Sequence, residues 1–185
     1  MNTLKAEKRS MDVKAKRLRR EGYVTGNLFG REIEGSIPLK FTKKEIEVLL
    51  KNNNKGSQVM LELDGKTYDA LIKEVDYNPL AHTVEEVDFQ ALVSNEMVHS
   101  TAEIILENEE KVLSGVLQDE LKEVAYKALP ADLVDKIKVD VAGMKIGDTL
   151  RVKDLEIAKN KNIHITTDLE AVIATVTPVH NVVPE

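Results

Sequence analysis

The sequence predicts a mainly β protein with a few helices, on three observations. Short runs alternating apolar and polar residues recur along the chain, the period-two signature of strands with one buried face. Only two segments in the first half switch to a helical period. Beyond about residue 93 the pattern is almost wholly strand-like, with Gly-containing turns between runs.

Thr3 to Arg9 alternates weakly and reads as an edge strand. From Met11 to Gly22 the period changes: Met11, Ala15, Leu18 and Gly22 share one helical face, and Gly22 is placed to end the helix. Tyr23–Phe29 and Ile33–Phe41 read as strands around a turn at Gly30. Thr42-Lys43-Lys44-Glu45 matches a capping box, so a second helix starts there, with Ile46, Leu49 and Leu50 as its apolar stripe. Val59, Leu61 and Leu63 then alternate up to Asp64-Gly65, a two-residue type I′ turn, and Tyr68, Ala70 and Ile72 return. Asp76 to His82 reads as a loop around Pro79, before a strand from Val84 to Val93.

Composition shifts near Val93–Met97, and we place a domain boundary there, dividing the chain into residues 1–93 and 94–185. The second part is read as strands at Thr101–Leu106, Leu117–Leu129, Ile137–Val141, Thr149–Val152 and Ala171–Val176. Val182-Val183-Pro184-Glu185 is expected to fray.

Charge is unevenly distributed. The chain carries a formal net charge of −6, yet residues 1–22 hold eight Lys/Arg against three Asp/Glu, and residues 93–185 hold ten against seventeen. Lys14, Lys16, Arg17, Arg19 and Arg20 fall within seven positions with no carboxylate between them. Without internal ion pairs such a run repels itself unless a polyanion neutralises it. Clustered basic residues on one element are the electrostatic footprint of nucleic-acid binding. The alternative is a solvated amphipathic helix.

Other chemistries find little support. No cysteine is present, which removes disulfides and thiolate ligands and suits a reducing cytoplasm. His82, His99, His164 and His180 are scattered, and no loop has calcium-binding spacing, so neither a metal nor a cofactor is expected. Asp132, Asp135, Asp140 and Asp148 read as a solvated edge. No Gly-x-Ser-x-Gly elbow, Walker loop or dinucleotide fingerprint occurs. Glu85 and Glu86 are adjacent in a strand, so their side chains should point to opposite faces, against a shared acid–base site. With three Phe, four Tyr and no Trp, stacking of single-stranded bases is disfavoured. Met1 to Lys5 lacks a signal-peptide core and no run is long enough to span a membrane. We expect a soluble, cytoplasmic, non-enzymatic protein.

Several segments together resemble a known family. Ala6-Glu7-Lys8-Arg9, Leu18-Arg19-Arg20-Glu21-Gly22, Leu28-Phe29-Gly30 and Val87-Asp88-Phe89 are similar to the first domain of the 5S ribosomal RNA-binding proteins. These are large-subunit ribosomal protein twenty-five and its two-domain Ctc-type relatives, the general stress proteins. Gly115-Val116-Leu117-Gln118, Leu129-Pro130-Ala131-Asp132 and the run from Ile137 to Leu150 match the second domain, in order. The resemblance covers nearly the whole chain.

It implies an α+β N-terminal β-barrel plus a β-rich, acidic C-terminal domain. The barrel would dock on the loop E region of 5S ribosomal RNA in the central protuberance of the large ribosomal subunit. RNA duplexes are read through shape, phosphates and 2′-hydroxyls, a mode that needs few aromatics. Carried over by position, Arg9, Arg19 and Arg20 match RNA-facing arginines. Lys14, Lys16 and Arg17 belong to the same basic run. Asp88 matches an acid that either contacts RNA or orients a neighbouring arginine. The resemblance also implies a monomer off the ribosome.

The chain departs from the family on that same face. Phe29 stands where the family has Tyr, Asp76-Tyr77-Asn78-Pro79 replaces Gln-Arg-His-Pro, and Glu86 replaces a histidine. A lost charged hydrogen bond is worth about 1.5–3 kcal/mol, so the substitutions imply weakened or redirected RNA binding. A second reading is a stress-related, ribosome-associated module whose acidic C-terminal domain contacts a protein. A third, transfer RNA, rests on fold analogy alone. Salt separates the first two, because only phosphate-driven binding falls steeply with it.

Overall fold

The computed structural model describes residues 3–112 and 114–178; His180 and Val182–Glu185 lie outside them. Six strands build the first half: β1 Thr3–Lys8, β2 Tyr23–Phe29, β3 Ser36–Thr42, β4 Gln58–Leu63, β5 Lys66–Asn78 and β6 Thr83–Ala91. They close into a barrel in the order β1-β3-β2-β6-β5-β4. The strand expected at an edge is therefore the one that shuts the barrel. β1 pairs antiparallel with β3 and parallel with β4, with Leu4 opposite Leu61. Closure leaves no edge to aggregate.

Alternation fills the barrel. Val59, Leu61, Ala70, Ile72, Val87 and Phe89 are fully buried, and Phe41 packs on Phe89 with ring centroids 5.5 Å apart and planes tilted 54°, a favoured aromatic geometry. Helix α2, Lys43–Leu50, lays Ile46 and Leu49 against this core. Its capping box is formed as expected: the Glu45 amide donates to Thr42 Oγ1 (3.3 Å) and the Thr42 amide to Glu45 Oε2 (3.1 Å). The β4–β5 turn is as expected too, with Asp64 and Gly65 at φ 51° and 76°, both in the left-handed region a type I′ turn requires.

Two strands approach unusually closely. β2 runs parallel to β6, and a Cβ added to Gly26 would stand 2.0 Å from the Val87 carbonyl oxygen. Only glycine fits this seam.

Several boundaries differ from expectation. Helix α1 spans only Ala15–Arg20, and Met11 is 71% exposed. Ser10 Oγ and Asp12 bond each other at 2.9 and 3.3 Å and hold residues 10–12 in a turn, the local competition that such side chains offer a helix. Gly22, at φ 90°, ends α1 as expected. β3 starts at Ser36 rather than Ile33, after a turn at Gly35. β5 runs on through Asn78, so Asp76 to Asn78 are strand residues paired with β6 instead of a loop.

The second half contains β7 Val98–Glu107, β8 Val116–Asp119, β9 Glu123–Ala128, β10 Lys136–Asp140, β11 Thr149–Arg151, β12 His164–Ile165 and β13 Val172–Thr177. They form one sheet in the order β10-β7-β9-β12 and another in the order β11-β13-β8. The expected Leu117–Leu129 strand is two strands in different sheets, because the Glu120 and Leu121 amides both turn onto the Ile173 carbonyl. A second core around Tyr126, Val152 and Ile173 lies between these sheets and short single-turn helices. Polar contacts join the halves: Ser57 Oγ donates to Asp135 (2.9 Å), Asn54 Nδ2 to Glu103 (2.9 Å) and Lys73 Nζ to the His99 carbonyl (2.6 Å). Burial and nearby Lys55 hold Lys73 below the ordinary lysine range. Among the described residues, no helix is long and apolar enough to cross a membrane.

The β2–β6 seam predicts a contrast. Gly26→Ala should overpack the barrel and cost about 1–3 kcal/mol, read as a lower urea midpoint. Gly143, with nothing within 4 Å of an added Cβ, should accept Ala within about 0.5 kcal/mol.

Candidate nucleic-acid interface

The basic run folds onto one corner of the barrel. Leu18 is the buried anchor of α1, at 7% exposure, and the chain passes from Arg20 through Gly22 directly into β2. That short connection fixes α1 beside the first residues of β2 and β6. Lys14 at the N-cap, Lys16, Arg17 and Arg20 face solvent, while Arg19 turns inward. Lys16, Arg19, Arg20 and Lys43 line a cleft of 410 Å³ together with Tyr23 and Glu85. Lys43 comes from the first turn of α2 and was not among the residues singled out in the sequence. Its adjacency depends on the β2–β3 pairing, Tyr23 opposite Thr42, which no local pattern shows.

The basic residues are not all free. Arg17 Nε pairs with Glu21 Oε1 one turn on (2.9 Å). Arg19 is gripped on every side: Nη1 lies 3.3 Å from Glu85 Oε2 and Nη2 3.1 Å from Glu86 Oε2. Its Nε donates to the Glu85 carbonyl at 3.1 Å, and Nη2 reaches Thr25 Oγ1 at 3.4 Å. The expectation of a run without internal ion pairs is therefore corrected for Arg17 and Arg19. Lys14, Lys16 and Arg20 have no carboxylate within 4.0 Å among the described residues. Arg9, after β1, folds back to donate from Nη2 to the Val13 carbonyl (3.2 Å), and its buried Nε has no hydrogen-bond partner among the described residues.

Glu85 and Glu86 do not diverge as alternation predicts. Asp76 pairs with Glu86 and Tyr77 with Val84, so Glu85 is an extra residue in β6. Such a bulge interrupts the two-residue period, and both carboxylates reach one guanidinium. Each has a second tether: Asn78 Nδ2 donates to Glu85 Oε1 (2.8 Å) and Asn27 Nδ2 to Glu86 Oε1 (3.4 Å).

Asp88 has a structural partner that neither sequence-based role supplied. Its Oδ1 accepts from the Asn27 amide (2.9 Å) and Asn27 Nδ2 (3.1 Å), stitching β6 to β2, and no cation pairs with it among the described residues. Asp76 is exposed on β5. Tyr77 is 54% exposed, with its hydroxyl 3.3 Å from His82 Nδ1. Asn78 Oδ1 accepts from the Leu80 and Ala81 amides at 3.1 Å each, shaping the β5–β6 turn. Asp76 and Asn78 thus join the Arg19 corner through β6. Phe29 does not: it ends β2 opposite Gln90, about 13 Å along the strand from Thr25 at roughly 3.3 Å per residue.

Comparison with known proteins accounts for both halves. A model of the Ribosomal L25p family matches residues 4–89, and one of the ribosomal protein TL5 C-terminal domain matches residues 97–180. The chain is 32% identical over 171 residues to large ribosomal subunit protein bL25 of Carboxydothermus hydrogenoformans, covering 91% of this chain and 84% of that one. Identity to the bL25 of Bacillus velezensis is 30% over 183 residues, 96% and 89% of the two chains. The Thermoanaerobacter pseudethanolicus bL25 matches at 30% over 164 residues, 88% and 81%. This chain belongs to the L25 family. That family is structural and non-enzymatic.

Within this L25 chain, the Asp88–Asn27 contact predicts a measurable cost. Asp88→Ala should lower stability by about 1.5–3 kcal/mol, the range for hydrogen bonds to a charged group. Asp88→Asn, which keeps an acceptor oxygen, should lose less. Urea unfolding of both variants checks this.

Proposed function

We propose that this chain is a component of the large ribosomal subunit that binds 5S ribosomal RNA, at the loop E region, through the face built by α1 and the adjoining ends of β2 and β6. It acts as a structural ribonucleoprotein in the cytoplasm, without catalysis. The observation that carries this reading is the cleft where Lys16, Arg20 and Lys43 converge, with Lys14, Lys16 and Arg20 free of carboxylate partners among the described residues. Flexible ammonium groups and a guanidinium fork at one corner suit phosphate oxygens. Family membership, over most of the chain, supports the same reading. A division at residues 93 and 94 belongs to it as well, with the near-neutral barrel meeting RNA through its basic corner and the acidic second half held away from the phosphates.

Affinity is expected below that of a fully basic interface. Glu74 stands opposite Asp88 and Asp76 opposite Glu86, placing four carboxylates on one outward face of β5 and β6 beside the cleft. Acidic side chains there restrict where a phosphate backbone can lie.

Titration of the full-length protein into a labelled loop E fragment at about 50 and 200 mM salt tests the proposal. Binding should weaken steeply with salt, and Arg20→Ala or Lys16→Ala should each flatten the log–log salt slope by about 0.7–0.9. Absence of binding at the lower salt, or a salt-insensitive affinity, would overturn it.

A further inference from the structure

Arg19 lines the basic cleft, yet its guanidinium is already engaged inside the protein. Nε is on the Glu85 carbonyl, Nη1 on the Glu85 carboxylate, and Nη2 on the Glu86 carboxylate and Thr25. Two negative charges face one guanidinium, so the local sum at this point is −1. Neither carboxylate is a loosely waving surface group. The oxygen of each that does not touch Arg19 is tethered by an asparagine, Asn78 for Glu85 and Asn27 for Glu86. Side-chain exposures of 30% for Arg19, 36% for Glu85 and 30% for Glu86 leave the cluster at the cleft wall, within reach of an entering anion. The carboxylate oxygens occupy the same fork of the guanidinium that a phosphate would take.

We infer that Glu85 and Glu86 form an intramolecular lock on Arg19, competing with phosphate for its guanidinium and setting the affinity of this face for an RNA backbone. In the locked state Arg19 positions α1 against β6 and contributes little to polyanion binding. Lys14, Lys16, Arg20 and Lys43 supply the contacts. A phosphate recruits Arg19 only by displacing two tethered carboxylates. The inference rests on the proposed RNA-binding role of this face, and it adds which arginine is withheld and by what.

The test compares four full-length proteins: the natural chain, Glu85→Gln/Glu86→Gln, Arg19→Ala, and the triple variant combining all three substitutions. Two probes are used: the loop E fragment, and heparin as a generic polyanion. Glutamine keeps the shape and an acceptor oxygen, so the barrel is retained; Glu86→Gln alone, with and without Arg19→Ala, serves if the double variant unfolds in circular dichroism. The lock predicts that Glu85→Gln/Glu86→Gln binds the fragment about tenfold more tightly, the effect of one added charged contact. Its salt slope should steepen by about 0.7–0.9 for one more phosphate neutralised, and it should leave heparin at higher salt. These gains must vanish in the triple variant, which should bind no more tightly than the natural chain; Arg19→Ala alone, which leaves both carboxylates unpaired beside the cleft, should bind more weakly than the natural chain. A gain that survives Arg19→Ala would mean simple relief of repulsion, and no gain on either probe would mean no competition; each overturns the lock. An Arg19-dependent gain on heparin, with no variant binding the fragment, would uphold the lock and overturn the 5S reading instead.

Discussion

The candidate interface depends on the parallel seam between β2 and β6. Gly26 lets the two backbones approach until a side chain would strike the Val87 carbonyl. That closeness brings Asp88 onto the Asn27 amide and sets Thr25 beside Glu86. Because α1 is joined to β2 only through Glu21 and Gly22, the seam also decides where Arg19 falls. Strand pairing inside a closed barrel cannot slip without moving every side chain to the other face. The corner is therefore a rigid consequence of the core, and its polar residues inherit the core's precision.

Electrostatics at this corner works by contrast rather than by bulk charge. The chain as a whole is acidic, so long-range attraction of RNA is weak and recognition must be short-ranged. A cleft with cations from α1 and α2 borders a face carrying Glu74, Asp76, Glu86 and Asp88. A phosphate backbone is welcome on one side of that border and repelled on the other. Such juxtaposition fixes an orientation at the expense of affinity, the usual trade for like charges placed next to a binding surface.

What was legible in the sequence was local. The Thr42–Glu45 box, the Asp64-Gly65 turn and the stop at Gly22 each involve residues within a few positions, and all three stand in the structure as read. The resemblance to the L25 family was also carried by contiguous motifs. The features that needed partners far along the chain were hidden. Nothing near Thr3 shows that its strand closes a barrel by pairing with Met60. The bulge at Glu85 exists only relative to β5, and it turned two carboxylates onto an arginine 66 and 67 residues away. The chain's switch between sheets after Asp119 is likewise set by Ile173. For the interface, the basic run was visible from composition alone, but the pairing of Arg19 with Glu85 and Glu86 was a tertiary property; the Arg17–Glu21 pair, one helical turn apart, was local and went unread.

The most direct measurement is a residue-resolved amide shift map of the ¹⁵N-labelled full-length protein, titrated with the loop E fragment at low salt. Perturbations should concentrate at Lys14–Arg20, Asn27, Lys43 and Thr83–Asp88, with Val98–Pro178 left in place. Shifts clustered in the second half, or spread evenly over the protein, would contradict the proposed interface.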